Sequence, residues 1–331
     1  MHTIYFIINQ HGNHNSIIKN GNGASEVLFY LTAKSLSSNF NVIVYNRDLP
    51  SKIDNIEYRF LPDNMNLDIH NSVVIVQRHF NVLIDLHQTN SSNKYVLWSH
   101  DYLEKKFNHL SGNYNPYEIN DYFTINNIQI VSVSHFHKRN ILSQIPNVDV
   151  TPIYNALFPE LFIKYNNIKH DKNVIIFASN WAKGLEKVLN IGKHYYNRNK
   201  EFKLILIKPK YCEWEPDLGK YTFIEKRGCI ENKEEYCKLL QSCLCVFSTS
   251  YPETFGCVFA EALHLGVPVI SDNSVQAGFH EIIPQELMCN FNNPNEVINK
   301  IENLRNNRTN VNLDSKFYAE SVINEWVKLL K

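Results

Sequence analysis

The sequence predicts an α/β protein with parallel β-sheets and two domains. Short runs of β-branched and aromatic residues alternate with helical patterns, as they do when helices connect neighbouring parallel strands. The first run, residues 2–8, ends at Asn9 and Gly12 and is predicted to be a buried strand followed by a loop. With 331 residues, the chain is long enough for two domains that each bury a core.

Composition and charge exclude several classes of function. The chain has 33 Lys and Arg against 33 Asp and Glu, so no overall field attracts nucleic acid or an anionic membrane. No apolar run approaches the ~18 residues of a membrane span, and the first residues lack a signal-peptide pattern. The 7 cysteines lack C-x-x-C spacing, which favours reduced core residues. We therefore expect a cytoplasmic protein with no nucleic-acid partner, no transmembrane segment and at most peripheral membrane contact.

The first half is predicted to contain one early helix and a series of strands. The helix follows Gly21 and Gly23 and extends to about Leu36. These glycines do not have the G-x-G-x-x-G spacing of a dinucleotide site, which argues against a redox enzyme. Further strands are predicted at residues 41–45, 56–60, 72–76, 95–98, 128–133 and 148–154.

A polar triplet follows the strand predicted at residues 95–98. Ser99, His100 and Asp101 therefore lie at the carboxyl end of a strand, the edge where open α/β sheets bind ligands. This position makes His100 a candidate functional residue rather than an ordinary surface histidine.

A basic cluster follows the strand predicted at residues 128–133. Ser134 is predicted to cap a helix. A solvated helix face is the preferred interpretation of the cluster, and contact with an anionic acceptor or membrane is the alternative. The cluster consists of His135, His137, Lys138 and Arg139.

The second half begins with a polar, irregular stretch at residues 159–172, which is predicted to link the domains. A strand at 174–177 follows, and after it Lys183 precedes Gly184 at the start of a helix. A lysine at such a position is well placed to bind a phosphate. Lys208 follows a later strand; an exposed lysine is its default interpretation, and a second phosphate contact is the alternative.

The most informative stretch is residues 250–271. Its apolar residues have the spacing of a helix with one buried face, and Gly266 ends that helix. Glu253 precedes the first turn, and Gly256 lies where a missing side chain lets a ligand approach the backbone amides. Glu261 lies roughly 7.5 Å further along the helix axis. The stretch therefore predicts a phosphate at the helix N-terminus and a sugar beside it.

Glu253 and Glu261, with seven residues between them, resemble the donor-binding motif of retaining glycosyltransferases of the GT-B fold, family 4 (glycosyl transferases group 1). The resemblance covers nearly the whole chain and is strongest over residues 174–281. It implies two Rossmann-like, doubly wound domains that face a central cleft. The implied divisions are an acceptor-side domain at 1–160, a nucleotide-sugar-binding domain at 161–312, and a C-terminal helix at 313–331 that crosses back to the first domain.

The resemblance also implies an activity. A hexose-type sugar would move from a UDP or GDP sugar to a hydroxyl of a glycan, lipid or glycoconjugate, with retention at the anomeric carbon and with no metal or other cofactor. Glu253 and His100 would act at the transferred sugar, Glu261 at the ribose and Lys183 at the diphosphate. The other implied donor-binding residues are Phe255, Gly256, Cys257 and Val258 at the helix N-terminus, Gly228 beside the base, and Gly21, Gly23 and Lys208.

Two alternatives to this activity remain open, and a departure from the family pattern supports the first of them. The family has an arginine near position 178 that helps to hold the diphosphate, whereas this chain has Ala178. A sugar-nucleotide-binding protein that has lost activity is one alternative. A GT-B epimerase or hydrolase of nucleotide sugars is the other. The base, the sugar, the acceptor and the oligomeric state leave no readable pattern in the sequence.

Overall fold

The computed structural model describes residues 2–10, 23–103, 116–210, 212, 216–308 and 310–331. The chain forms two compact units, Met1–Ala156 with Ala319–Lys331, and Leu157–Tyr318. Each unit contains a mainly or wholly parallel sheet with helices, so the predicted α/β class with two parallel-sheet domains is confirmed. Residues 159–172, predicted as a linker, lie in the second unit and run into its first strand.

An eight-stranded sheet forms the centre of the first unit. Its strands are β1 (Thr3–Ile7), β2 (Asn41–Asn46), β3 (Ser51–Ile53), β4 (Ile56–Phe60), β5 (Val73–Gln77), β6 (Lys94–Ser99), β7 (Gln129–Ser132) and β8 (Val150–Pro152). They lie in the order β3-β4-β2-β1-β5-β6-β7-β8, and only the edge pair β3–β4 is antiparallel. The central strands β2, β5 and β6 are buried along almost their whole length, as strands covered on both faces must be.

A six-stranded sheet forms the centre of the second unit. Its strands are β9 (Asp171–Phe177), β10 (Lys203–Ile207), β11 (Ile224–Arg227), β12 (Cys243–Ser248), β13 (Val269–Asp272) and β14 (Met288–Cys289). They lie in the order β11-β10-β9-β12-β13-β14, and every pair is parallel. Parallel strands of this kind must be joined by crossover connections.

Helices supply most of these connections. Those of the described residues are α1 (Ala24–Leu36), α2 (Phe80–Thr89), α3 (Pro116–Ile125), α4 (His135–Gln144), α5 (Leu185–Arg198), α6 (Lys233–Ser242), α7 (Cys257–His264), α8 (Pro294–Asn306) and α9 (Ala319–Leu330). The C-terminal helix α9 belongs to the first unit, where the ring of Trp326 is fully buried 5.0 Å from that of Trp98. No helix of the described ranges combines the length and the apolar character needed to span a membrane.

Each sheet has one position where the order of its strands reverses. In the first sheet β1 lies between β2 and β5, and in the second sheet β9 lies between β10 and β12. Connections leave such a pair of strands toward opposite sides, so the loops after them part at their carboxyl ends and leave a crevice for ligands. The loops after β9 and β12, together with α7 that follows the second loop, hold most of the predicted donor-binding residues.

Candidate functional site

The loops after β9 and β12 are joined directly in the second unit. The hydroxyl oxygens of Ser179 and Ser250 lie 2.6 Å apart and share a hydrogen bond. Further along the same loops, Lys183 Nζ donates to Glu253 Oε2 at 3.4 Å. The structure therefore brings together two residues that are 70 positions apart in the chain and that the sequence analysis selected independently.

A glycine makes this approach possible. Gly184 adopts φ of 96°, in the left-handed region, immediately before α5. A side chain at this position would place its Cβ 2.4 Å from Thr249 O, while Thr249 Oγ1 donates to Gly184 O at 3.0 Å. The loop after β9 thus lies against the loop after β12, which places Lys183 beside Glu253.

The backbone around Glu253 is fixed by a second close contact. Glu253 Oε1 accepts a hydrogen bond from Phe255 N at 3.3 Å, and Glu253 O accepts one from Gly278 N at 2.9 Å. A Cβ on Gly278 would lie 2.0 Å from Thr254 O, so only glycine allows the two segments to meet. The carboxylate is therefore held on both sides, and its side chain remains 19% exposed.

Helix α7 begins two residues after Phe255. Gly256 has φ of 102° and precedes the helix, and its carbonyl accepts from Phe259 N and Ala260 N. Cys257 and Val258 form the first turn, where backbone N–H groups have no acceptor within the helix and the helix dipole is positive. The side chain of Phe255 is buried, so only its backbone lies near this turn.

Glu261 is held by a residue that the sequence analysis did not select. Tyr236, on α6, donates its hydroxyl to Glu261 Oε2 at 2.7 Å. Burial, and then the charge of Glu261, raise the pKa of Tyr236 well above its usual value, so this hydroxyl remains a donor.

The position of the family's arginine is filled by a buried alanine. Ala178 is 7% exposed and directly follows β9. Two nearby lysines have other contacts. Lys187 Nζ donates to the fully buried Asp272 at 2.6 Å, and Lys208 Nζ lies 5.6 Å from the centre of the Trp181 ring. Lys183 is therefore a lysine that the structure pairs with the motif carboxylate.

The remaining donor-binding candidates are spread over both units. Gly228 follows β11 and is exposed, and among the described residues no atom beyond its chain neighbours lies within 4 Å of the position a Cβ would take. Gly23 precedes α1, and a Cβ there would lie 2.4 Å from the carboxylate of Glu26. Gly21 lies outside the described residues.

The first unit contains an ion-pair network centred on Arg78, a residue that the sequence analysis did not select. Arg78 follows β5 with φ of 64°, and its Nε and Nη2 donate to the two carboxylate oxygens of Asp101, each at 2.8 Å. Its Nη1 donates to Glu26 Oε1 at 3.0 Å, and Gln10 Nε2 donates to the same oxygen at 3.3 Å. Burial raises the pKa of Asp101, but the hydrogen bonds and charge of Arg78 outweigh it, so the pKa is lowered. The network connects the loops after β1, β5 and β6.

His100 lies beside this network and is almost fully buried. Its ring packs 4.9 Å from that of Trp98, and its Nε2 lies 3.4 Å from Gln77 Nε2. Burial, and then the charge of Arg78, lower the pKa of His100 to about 3. His100 is therefore neutral at physiological pH, and in that state it offers a hydrogen bond rather than a positive charge.

His137 was wrongly placed on a solvated or ligand-facing helix surface. Ser134 caps α4 as predicted, accepting a hydrogen bond from His137 N, but the His137 side chain is fully buried. Its Nδ1 accepts from Val133 N at 3.3 Å, and its Nε2 lies 2.9 Å from Asp101 O, to which it donates. Burial lowers its pKa to about 4. Only His135 and Arg139 of the cluster are exposed, and Lys138 is half-buried.

These two buried histidines are expected to make the protein less stable in mild acid. In the unfolded chain both have a pKa near 6.5, whereas in the folded chain the values are about 3 and about 4. As the pH falls from about 6.5 toward 4, the unfolded chain binds protons that the folded chain does not. The free energy of unfolding should therefore fall by about 1.4 kcal/mol per pH unit for each histidine.

Urea unfolding at pH 7, 6 and 5 measures this dependence. The variant His137→Asn, whose side-chain oxygen replaces the Nδ1 acceptor, should lose about half of the slope that the pair contributes. Other histidines with lowered pKa values, among them His79 and His87, add to the total slope but not to this difference. An unfolding free energy that stays constant between pH 7 and pH 5 would contradict the assignment of neutral buried histidines.

Comparison with protein families identifies the second unit. Residues 160–321 match the family model described as glycosyl transferases group 1. The second unit is a glycosyl transferases group 1 domain. The chain is therefore a glycosyltransferase, and both the Lys183 loop and the Glu253 to Glu261 motif lie inside the matched range.

Solved structures show that the glycosyltransferase has the GT-B fold over its whole length. Sucrose-phosphate synthase from Thermosynechococcus elongatus is 12% identical, with a TM-score of 0.69 over 99% of this chain and 98% of that one. HepE from Anabaena, solved with UDP and glucose, is 12% identical, with a TM-score of 0.66 over 100% and 99%. WaaG, a glycosyltransferase involved in lipopolysaccharide biosynthesis, is 13% identical, with a TM-score of 0.60 over 99% of both chains. None of the curated proteins matches this chain.

Proposed function

We propose that this glycosyltransferase moves a hexose-type sugar from a UDP or GDP sugar to a hydroxyl of a glycan, lipid or glycoconjugate, with retention at the anomeric carbon. The approach of Lys183 Nζ to Glu253 Oε2, at 3.4 Å beside the start of α7, carries the proposal. A cation and a helix N-terminus suit a diphosphate, and a carboxylate beside them suits the hydroxyls of the attached sugar. The UDP and glucose bound to the Anabaena structure are consistent with this class of donor.

Positive charge in the proposed site comes from the protein itself. Lys183 and the N–H groups at the start of α7 stabilise the charge that develops on the departing diphosphate, as preorganised donors do in other transferases. No metal or other cofactor is part of the proposal. Glu261 accepts a hydrogen bond from a ribose hydroxyl, which fixes the nucleoside at the flank of the same helix.

Retention is proposed to follow from attack on the face that the leaving group departs from. The bond between the anomeric carbon and the phosphate oxygen breaks, the acceptor oxygen forms a bond to the same face, and the acceptor proton passes to a phosphate oxygen. Glu253 binds hydroxyls of the transferred sugar, and the role implied for His100 stays a prediction. This assignment does not require Glu253 to form a covalent intermediate.

A thermal-shift series tests the donor. UDP, GDP, dTDP, ADP and their common sugar conjugates are added to the folded protein, because a ligand that binds only the native state stabilises it by about 2.7 kcal/mol at a hundredfold excess over its dissociation constant. We expect one base to raise the melting temperature, and the matching sugar conjugate to give a product that keeps the anomeric configuration of the donor. No shift with any nucleotide would contradict the proposal, and an inverted product would contradict retention.

The buried Ala178 supports a second candidate function. Without the family's arginine, the domain retains a binding site for the nucleotide but has less positive charge for the departing diphosphate. A sugar-nucleotide-binding protein without turnover has this combination. Nucleotide binding with no transfer to any acceptor, and no donor hydrolysis, would favour this candidate over the transferase.

Lys183→Met is expected to weaken the binding of the nucleoside diphosphate by about tenfold or more, the size of a hydrogen bond to a charged group. Lys193→Met, on an exposed part of α5, is the matched control and should have no effect. Isothermal titration of both variants with the nucleotide identified above provides the measurement. Lys208→Met is measured in the same series. If it lowers the affinity for the nucleoside diphosphate as much as Lys183→Met does, Lys208 takes the role of the missing arginine. An unchanged affinity in Lys183→Met would remove Lys183 from the site.

A further inference from the structure

Tyr236 forms a contact between α6 and the flank of α7. Its side chain is 8% exposed, and its hydroxyl lies 2.7 Å from Glu261 Oε2. The start of α6 is fixed by Asn232, whose side chain caps the helix by accepting from Glu235 N. The tyrosine therefore projects from a well-anchored helix, and its hydroxyl has a defined position relative to Glu261.

Among the residues that the structure describes, the Tyr236 hydroxyl is what holds the Glu261 carboxylate in place. No lysine, arginine or histidine among those residues forms an ion pair with Glu261, and Tyr236 is its one side-chain hydrogen-bond partner there. The contact uses Oε2 and leaves Oε1 able to accept another hydrogen bond. Burial, and then the charge of Glu261, raise the pKa of the neighbouring Cys237 to about 11, so that thiol also stays neutral.

We propose that Tyr236 is a positioning residue for the nucleoside, which holds the Glu261 carboxylate so that its second oxygen accepts a hydrogen bond from a ribose hydroxyl. The inference rests on the proposed function and adds to it a source of selectivity for ribose over deoxyribose. Tyr236 does not touch the nucleotide in this assignment; it acts through Glu261.

The choice of tyrosine suits this task. A glutamate side chain on a helix surface has several rotamers, and a fixed donor on one oxygen removes part of that freedom before the ligand binds. A lysine or arginine in the same place would neutralise the carboxylate and weaken it as an acceptor. A neutral hydroxyl leaves the negative charge in place, and a site built to accept from a hydroxyl discriminates against analogues that lack one.

Tyr236→Phe tests the inference, with binding measured for UDP and GDP and for their 2′-deoxy and 3′-deoxy forms. We expect the variant to bind the ribonucleotide about tenfold more weakly, as expected for a weakened hydrogen bond to a charged group. For the deoxy form that lacks the hydroxyl bound by Glu261, wild type and variant should agree within about twofold. The selectivity for ribose should therefore fall in the variant. A ribose to deoxyribose affinity ratio equal to that of the wild type would overturn the proposal.

Tyr195 supplies a matched control in the same unit. Its hydroxyl donates to Glu302 Oε1 at 2.8 Å, and Tyr195 is 1% exposed, so Tyr195→Phe removes another tyrosine–glutamate hydrogen bond that lies outside the motif. Tyr195→Phe should leave both affinities unchanged. In a Glu261→Ala background, which itself should weaken ribonucleotide binding, Tyr236→Phe should have no further effect. An additional loss there would show that Tyr236 acts by another route and would also overturn the proposal.

The same titrations separate this inference from the proposed function. If the wild type binds none of the nucleotides, the proposed function and the inference that rests on it are both wrong. If the wild type binds one ribonucleotide and Tyr236→Phe binds it equally well, the proposed function stands and the role of Tyr236 is wrong.

Discussion

Glu253→Gln is expected to lower turnover by about a hundredfold or more, the usual cost of removing one preorganised group that acts on the transition state. The substitution keeps the size of the side chain and an oxygen that can accept from Phe255 N, so the local backbone should not change. It removes the charge that faces Lys183 Nζ at 3.4 Å. Initial rates with saturating donor, together with the dissociation constant of the nucleoside diphosphate, give the measurement.

The same ion pair sets the sign of the effect on binding. In the protein without nucleotide, Lys183 is partly neutralised by Glu253, and a diphosphate must compete with that carboxylate for the lysine. With glutamine at position 253 the lysine is available to the diphosphate alone. We therefore expect the affinity for the nucleoside diphosphate to stay equal or to rise while turnover falls.

Glu234→Gln is the control for loss of a carboxylate from the second unit, because Glu234 pairs with Lys238 on an exposed helix face. It should leave both turnover and affinity unchanged. Wild-type turnover in Glu253→Gln would remove Glu253 from the reaction. A loss of nucleotide affinity that parallels the loss of turnover would show that Glu253 acts in binding the diphosphate.

The second unit was predictable from sequence because its signals are local. The strand before Lys183, the glycine after it, and the helical spacing after Glu253 each occupy a few consecutive residues, and the structure contains β9, Gly184 and α7 at those places. The exact start of α7 was less certain. The apolar pattern includes Phe255, but the left-handed Gly256 delays the helix to Cys257.

The supporting contacts were not predictable because their partners are distant in the chain. Arg78 lies 23 residues from Asp101 and 52 from Glu26, and Tyr236 lies 25 residues from Glu261. Arg78 belongs to no periodic pattern, and Tyr236 is one of the buried-face positions of α6. Each is an ordinary arginine or tyrosine until the fold brings its partner close. The prediction for His137 was wrong for the same reason. Its position in a basic cluster gives no sign that the backbone oxygen of Asp101 accepts a hydrogen bond from its side chain.

In the sequence, the signal for Arg78 was a charged residue at the end of a predicted buried strand. It directly follows β5, whose last four residues are buried, and β5 adjoins β1 where the strand order reverses. The left-handed conformation at a non-glycine residue is a second sign, since such strain persists only where surrounding contacts enforce it. The bidentate contact with Asp101 supplies that enforcement.

Arg78→Met is expected to destabilise the protein by about 3–5 kcal/mol, because removing one partner of a largely buried network leaves the carboxylates of Glu26 and Asp101 without a counter-charge. The side chains of Arg78 and Glu26 are only 19% and 8% exposed. Methionine keeps the Cβ and most of the apolar stem, so backbone strain and packing change little. Arg59→Met is the control. It removes an ion pair with Glu57 on a partly exposed strand and should lower the free energy of unfolding by no more than about 1 kcal/mol.

The pH dependence of the stability lost in Arg78→Met shows whether Arg78 stabilises the protein by its charge or by its packing. In the wild type the lowered pKa of Asp101 contributes stability that is present above its unfolded value of about 3.9 and is lost as the pH falls through the folded value. Without Arg78 that contribution disappears, so the unfolding free energies of wild type and variant should converge as the pH falls below about 4. Urea titrations at pH 7 and pH 3.5 measure the difference. A gap of the same size at both values would show that Arg78 stabilises the first unit by packing, and that the carboxylates around it need no counter-charge.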